Sequence, residues 1–165
     1  MSAFLLAVTV PCSTMAQQFD LSVEVAFGSG IEAQTTQGYG STSRLPTFTR
    51  LNIGYQWEND SWVELGFGMA VSLENRSSLL LVPKVRLNRN LFKDFLLYGS
   101  LGAAADALPD ARFGGEIELG SRYQLMDNLG AFFALGLDIF AAGPGVGHHG
   151  LDLVLSASLG LRTSF

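Results

Sequence analysis

From position 19 onward, apolar and polar residues alternate with a period of two. In the segment 19–27 the odd positions carry Phe, Leu, Val, Val and Phe, whereas the even positions carry Asp, Ser, Glu and Ala. The segment 151–165 alternates in the same way, with leucines at most of its odd positions. Successive side chains of a strand point to opposite faces, so this pattern predicts strands with one apolar face.

Six more segments with this pattern lie between these two. Residues typical of turns separate them, among them Asn59-Asp60, Leu108-Pro109-Asp110 and Asp127-Asn128. The sequence therefore predicts an all-β chain of eight strands, with a polar, flexible loop over residues 29–44 as its longest connection. The six segments are 45–58, 61–74, 78–89, 94–106, 111–125 and 129–141.

The charged residues give a second view of the same alternation. Outside the predicted turns every charged residue has an even number, and the odd-numbered Arg89, Lys93 and Asp127 fall in turns. One face of each strand is therefore free of charge.

Alternation alone leaves two arrangements open, a soluble lipocalin-like barrel with the apolar face inside and a membrane barrel with that face outside. The polar face is rich in Gly and Ala, which an eight-stranded barrel needs inside because its interior is narrow. The apolar face is bulky and would overfill such an interior. Its aromatic residues cluster near one end, as in the girdle of a membrane barrel. These features favour the outward arrangement. The predicted girdle comprises Phe19, Tyr55, Trp57, Phe95 and Tyr123, together with Phe165.

With the apolar face outside, the charged residues of the polar face lie inside the barrel. Acids and bases are nearly balanced there, which predicts ion pairs, because a buried unpaired charge is costly. The predicted interior network comprises Glu24, Arg50, Glu64, Lys84, Arg86, Glu116, Glu118, Arg122, Asp138 and Arg162.

The composition agrees with one membrane-embedded domain. The chain has 165 residues, of which 48% are hydrophobic and 15% are charged, against roughly 25% charged in an ordinary soluble domain. A net charge of −5 argues against a nucleic-acid partner, and a single cysteine excludes a disulfide scaffold.

The first residues have the pattern of a secretory signal. Residues 3–10 are apolar, and Thr14 and Ala16 are small residues placed for cleavage before Gln17. The basic residues that begin such signals are missing here. We therefore expect a signal peptide over residues 1–16 that is truncated at its start, and a barrel domain over residues 17–165.

An exported chain of eight alternating strands that ends in Phe resembles the small eight-stranded outer-membrane β-barrels of Gram-negative bacteria, the OmpA transmembrane domain and OmpX among them. In that family the last strand is an assembly signal, and Leu155, Leu159, Leu161 and Phe165 match its pattern. The resemblance implies an antiparallel up-and-down transmembrane barrel in the cell outer membrane. It further implies a monomer that contacts outer-membrane lipid and lipopolysaccharide and meets the barrel-assembly machinery during biogenesis.

Neither the residues nor the resemblance identifies a specific activity. A structural or surface-interaction role, through envelope integrity, adhesion or ligand contact by extracellular loops, is the leading hypothesis. A narrow, porin-like small-solute channel through the polar interior is the alternative, and a soluble periplasmic lipocalin-like binder of an apolar ligand is the second. The outer face lacks His, and the predicted interior is charged rather than apolar. The sequence therefore predicts no enzyme, cofactor or catalytic residue. His148 and His149 are expected in a solvated loop rather than a metal site.

Overall fold

The computed structural model describes residues 19–36, 39–57, 62–74, 78–108, 111–144, 146 and 150–165. The predicted signal segment 1–16, Glu58 and the His148-His149 pair lie outside these residues. Eight antiparallel strands form a closed barrel in which each strand pairs with the next and β8 pairs with β1. The strands are β1 Phe19–Thr36, β2 Tyr39–Trp57, β3 Val63–Ser72, β4 Leu79–Phe92, β5 Phe95–Asp106, β6 Arg112–Met126, β7 Leu129–Ala142 and β8 Leu151–Ser164. The predicted all-β fold class is therefore confirmed.

The two ends of the barrel differ in their connections. The terminal end carries the start of β1, the end of β8 and the connections β2–β3, β4–β5 and β6–β7. Two of these connections are two-residue turns, Lys93-Asp94 and Asp127-Asn128. The opposite end, called the distal end below, carries the β1–β2 hairpin and the other three connections.

The apolar face of the sheet points outward. Leu135 is 48% exposed and Leu119 is 63% exposed, whereas Glu116 and Arg86 are each only 2% exposed. The lipocalin-like alternative, which requires the apolar face inside, is therefore wrong. The outward face is the one that a hydrocarbon environment accepts, since it leaves neither charges nor an open sheet edge in the lipid. None of the described residues forms a helix that is long and apolar enough to cross a membrane.

The predicted loop over residues 29–44 is wrong. β1 continues to Thr36, and β2 begins at Tyr39, so that nearly the whole segment is a paired hairpin. Its Ser, Thr, Gln and Gly residues carry no apolar alternation, but cross-strand pairing keeps them extended. The pairing changes register between Gly28 and Gly30, where a bulge in β2 places Leu45 rather than an even-numbered residue on the interior face.

Small interior residues make room for the long ones. A Cβ atom added to Gly120 would collide with the ring of Tyr98, and one added to Gly54 would collide with the Glu64 carboxylate. The interior also contains two apolar clusters that the sequence did not predict. The first comprises Ala26, Leu96, Tyr98, Phe132 and Ala134. The second, nearer the distal end, comprises Val82, Ala104, Phe140, Val146 and Val154, with Leu45 and Leu80 packed against it.

Because the apolar face points outward, a charge placed on it should destabilise the barrel by an amount that depends on its depth in the bilayer. Leu135→Arg, in the middle of β7, should lower the free energy of unfolding by about 2–4 kcal/mol, because the arginine would lie near the bilayer midplane. Met126→Arg, beside the turn at the terminal end, should lower it by roughly 0–1 kcal/mol. Urea unfolding in lipid vesicles measures both values. Equal losses for the two variants would contradict a lipid-facing surface.

Candidate functional site

A balanced set of charged side chains fills the middle of the barrel. All eight are at least 94% buried, and each one has an ion-pair partner within the set. We call this set the central ion-pair network. Its acids are Glu24, Glu64, Glu116 and Glu118, and its bases are Arg50, Lys84, Arg86 and Arg162.

Arg86 on β4 is the junction of this network. Its guanidinium donates to both carboxylate oxygens of Glu24, with Nη2 at 2.9 Å from Oε2, and Nη2 also lies 3.2 Å from Glu118 Oε1. Glu64, directly opposite Arg86 on β3, lies 3.4 Å from Nη1. The ring of Tyr98 packs against the same guanidinium, 4.2 Å from Cζ to the ring centroid. One cation thus connects strands β1, β3, β4 and β6.

Arg50 makes the longest connection across the interior. It lies on β2, between Ala26 and Ala70 on the neighbouring strands, and reaches β6 on the opposite side of the barrel. There Nη2 donates to Glu116 at 2.6 Å and Nη1 donates to Glu118 at 2.9 Å. Lys84 Nζ lies 3.3 Å from Glu118 and 3.7 Å from Glu116. The four side chains brace opposite walls of the barrel.

Two members of the predicted interior set lie outside the network. Arg122 is on the interior face between Leu96 and Phe132, towards the terminal end, and it takes no part in the ion pairs of the network. Asp138 is buried directly opposite Glu116 on β7, but no ion pair is found for it within the described residues.

A second charged cluster lies near the distal end. Arg112 donates to Glu32, to Asp106 at 2.7 Å and to Asp152 at 3.3 Å. The interior network predicted from the sequence does not include Glu32, because residues 29–44 carry no apolar alternation, or Asp106, because it lies at the end of a strand. Both residues have even numbers, as do the other charged residues of the predicted strands, and this was the feature of the sequence that could have placed them inside the barrel.

The base of the β1–β2 hairpin is tied to the β3–β4 connection. Thr47 donates its backbone N–H and its Oγ1 to Glu74 Oε1, each at 3.0 Å, and Arg44 Nη2 donates to the same oxygen at 3.2 Å. These hydrogen bonds, first that of the Thr47 backbone, hold the pKa of the Glu74 carboxyl below its ordinary value. The contact is exposed, and it marks the point where β2 leaves β3.

The predicted assembly residues, and the predicted girdle residues whose side chains the structure describes, lie on the outside of the barrel. Tyr55 and Tyr123 are exposed near the terminal end, where Phe95 pairs with Tyr123. Phe19 and Trp57 pair with each other at that end, but their side chains lie outside the described part of the structure. The predicted assembly residues line the outer face of β8 and its end, with exposures of 54% for Leu155, 64% for Leu159, 53% for Leu161 and 74% for Phe165.

No protein-family model and no curated protein matches the chain. Solved structures do match it. The N-terminal β-barrel domain of Pseudomonas aeruginosa OprF is 16% identical, with a TM-score of 0.60 over 87% of this chain and 97% of that one. Ail, the attachment invasion locus protein of Yersinia pestis, is 14% identical, with a TM-score of 0.59 over 90% and 99% of the two chains.

This is the fold of the small eight-stranded outer-membrane barrels. The fold agrees with the expected location in the cell outer membrane. A de novo designed transmembrane β-barrel is equally similar, at 14% identity and a TM-score of 0.58 over 88% of this chain and 95% of the design. Because a designed barrel matches as well as natural ones do, the similarity shows the architecture alone, and function has to be argued from the chain's own residues.

The outer-membrane barrel should depend on the Arg86 junction for stability. Arg86→Met removes the cation and leaves Glu24 buried with fewer partners, which should cost about 3–5 kcal/mol of unfolding free energy. Urea unfolding of the refolded protein in vesicles measures the loss. Arg89→Met is the matched control, since Arg89 is exposed at the terminal end of the same strand and should change little. Equal stability of R86M and wild type would show that the junction does not hold the walls together.

Proposed function

We propose that this chain is an outer-membrane surface protein whose distal hairpin binds an extended segment of a partner protein. The distal end faces the cell exterior in this proposal. The asymmetry of the connections supports that orientation, since outer-membrane barrels have short periplasmic turns and longer extracellular segments.

The proposal rests on one observation: the β1–β2 hairpin extends beyond the distal end of the neighbouring strand β3. β3 ends at Ser72, whose pairing partner on β2 is Phe48, whereas β2 continues to Tyr39. Residues 39–45 therefore pair with β1 on one side, and no described strand pairs with their other edge.

The hairpin is a supported sheet edge rather than an isolated ribbon. β1 pairs on its far side with β8 as far as Thr35 and Leu151, which makes the distal extension three strands wide. Such an edge presents backbone N–H and C=O groups that can add a strand from another protein. The exposed residues of β2 here, Gly40 to Arg44, are small apart from Arg44, so they leave the backbone accessible.

One precedent by name is Ail, an attachment invasion locus protein, which has also been solved in complex with the heparin analogue sucrose octasulfate. A sulfated ligand suits this hairpin poorly, because Arg44 is its one basic residue among the described positions and is engaged by Glu74. Main-chain pairing with a protein segment is the better match. The proposal assigns no catalytic step to the chain.

Shortening the hairpin should abolish surface binding. Replacing residues 33–42 by Asn-Gly would end the hairpin at the Glu32–Ser43 pair and would remove residues 39–42, the greater part of the free edge. Bacteria without adhesins of their own, displaying the wild type, should adhere to epithelial monolayers, and the shortened variant should lose most of this adhesion. S41A/S43A keeps the backbone and should adhere like the wild type. Adhesion of the shortened variant at the wild-type level would overturn the proposal.

A small-solute channel is the second candidate, favoured by a cavity that reaches Arg50 and Asp138 from the distal end. If solutes pass through, the interior charges line their path. Glu116→Gln should then change the single-channel conductance and the cation-to-anion preference in a planar bilayer, whereas Asp127→Asn in the terminal turn should change neither. Absence of conductance in the wild type would exclude this candidate without affecting the hairpin proposal.

A further inference from the structure

A cavity of about 150 Å³ lies inside the distal end of the barrel. It extends from Gln34 and Leu108 at the rim to Arg50 and Asp138 at its inner end. A cavity of this volume can hold a group of the size of a benzene ring. It is therefore large enough for an organic ligand and not only for water.

One wall of this cavity is apolar. Leu45, Leu80, Phe140 and Val154 line it, all of them members of or packed against the distal apolar cluster. The Arg112 guanidinium lies over the ring of Phe140, 4.7 Å from Cζ to the centroid. This wall is suited to a hydrocarbon or aromatic part of a ligand.

The other wall carries more acids than bases. Arg112 is the shared partner of Glu32, Asp106 and Asp152, so that one cation faces three carboxylates. Asp106 Oδ1 is buried without a hydrogen-bond partner among the described residues. The distal cluster is therefore short of positive charge.

Asp138 is an independent sign of a missing cation. It is 3% exposed, lines the inner end of the cavity, and its Oδ1 has no hydrogen-bond partner in the described part of the chain. The nearby base, Arg50, is already bound by Glu116 and Glu118. A buried carboxylate oxygen without a hydrogen-bond partner is costly, so a cation that enters the cavity would gain a strong interaction there.

We propose that this cavity binds a small organic ammonium ion whose apolar part is about the size of a phenyl group. The ammonium group would lie against Asp138 at the inner end of the cavity, and the apolar part would pack on Phe140 and Leu80. A bare metal ion fits less well, because the described His, Cys, Asp and Glu residues form no group of three that could hold one. This inference is independent of the hairpin proposal, since it uses only the interior of the barrel.

The test is a titration of the refolded protein in a non-ionic detergent with 2-phenylethylammonium, followed by amide chemical shifts. Saturable shifts are expected at Leu80, Phe140 and Val154. The neutral analogue 2-phenylethanol should bind at least about tenfold more weakly, because a hydrogen bond to a charged group is worth a factor of this order. Calcium chloride titrated alone serves as the probe for a metal site.

Two variants separate the charge from the shape of the cavity. Asp138→Asn keeps the shape and should raise the Kd for the ammonium ion about tenfold, while leaving that for the alcohol unchanged. Glu32→Gln should raise the same Kd by a smaller factor. It replaces D138N as the test variant if D138N does not give the folded form on an unheated gel. Asp127→Asn removes the same charge from the exposed terminal turn and should change the Kd less than twofold.

Three results would overturn the inference. Equal affinity for the amine and the alcohol would show an apolar cavity without charge selection. An equal effect of D127N and D138N would show a general surface-charge effect. Saturable shifts with calcium but not with the amine would show that the cavity is a metal site.

Discussion

Closure of the sheet between β1 and β8 is the constraint on which the rest of this structure depends. In hydrocarbon there is no water to satisfy backbone N–H and C=O groups, so a sheet survives only when no edge is left open. β8 meets β1 from Ser22–Ser164 to Thr35–Leu151, and this pairing removes the last two edges of the membrane-embedded part. Closure also decides the chemistry of the two faces, because every residue that faces away from lipid must then share one narrow interior.

The narrow interior explains why charge and glycine occur together. Eight strands leave a lumen just wide enough for side chains, and long bases such as Arg50 and Lys84 cross it only because their neighbours are small. Ala26 and Ala70 flank Arg50, and Gly66 and Gly102 flank Lys84. The charges are tolerated because partners from opposite walls meet at hydrogen-bonding distance. The resulting network joins the walls in the middle of the barrel, where the backbone alone connects only neighbouring strands.

On the distal side of the central ion-pair network the barrel carries the two features that are proposed to bind a partner and a ligand. The paired strands β8, β1 and β2 rise beyond the neighbouring β3 as one sheet, and the cavity lies below them against the distal apolar cluster. A rigid, closed scaffold holds both features in fixed positions, which lowers the conformational entropy lost when a partner or ligand binds. The two proposed roles use different groups, the backbone edge of β2 in one case and the unpaired carboxylates in the other.

The amino-acid sequence predicts the strand count, the strand positions outside residues 29–44 and the choice of the outward face. These properties follow from local alternation: a bulky, charge-free odd face and a small or charged even face leave only one arrangement that suits a narrow barrel in lipid. The tertiary structure alone decided the ion-pair partners, since Arg50 and Glu116 lie on opposite walls and meet only after register and closure are set. It also decided the hairpin, because the polar residues of 29–44 carry no alternation and are held extended by cross-strand hydrogen bonds. The same closure brings Arg50 to Glu116 and Glu118, and among the described residues Asp138 then forms no ion pair.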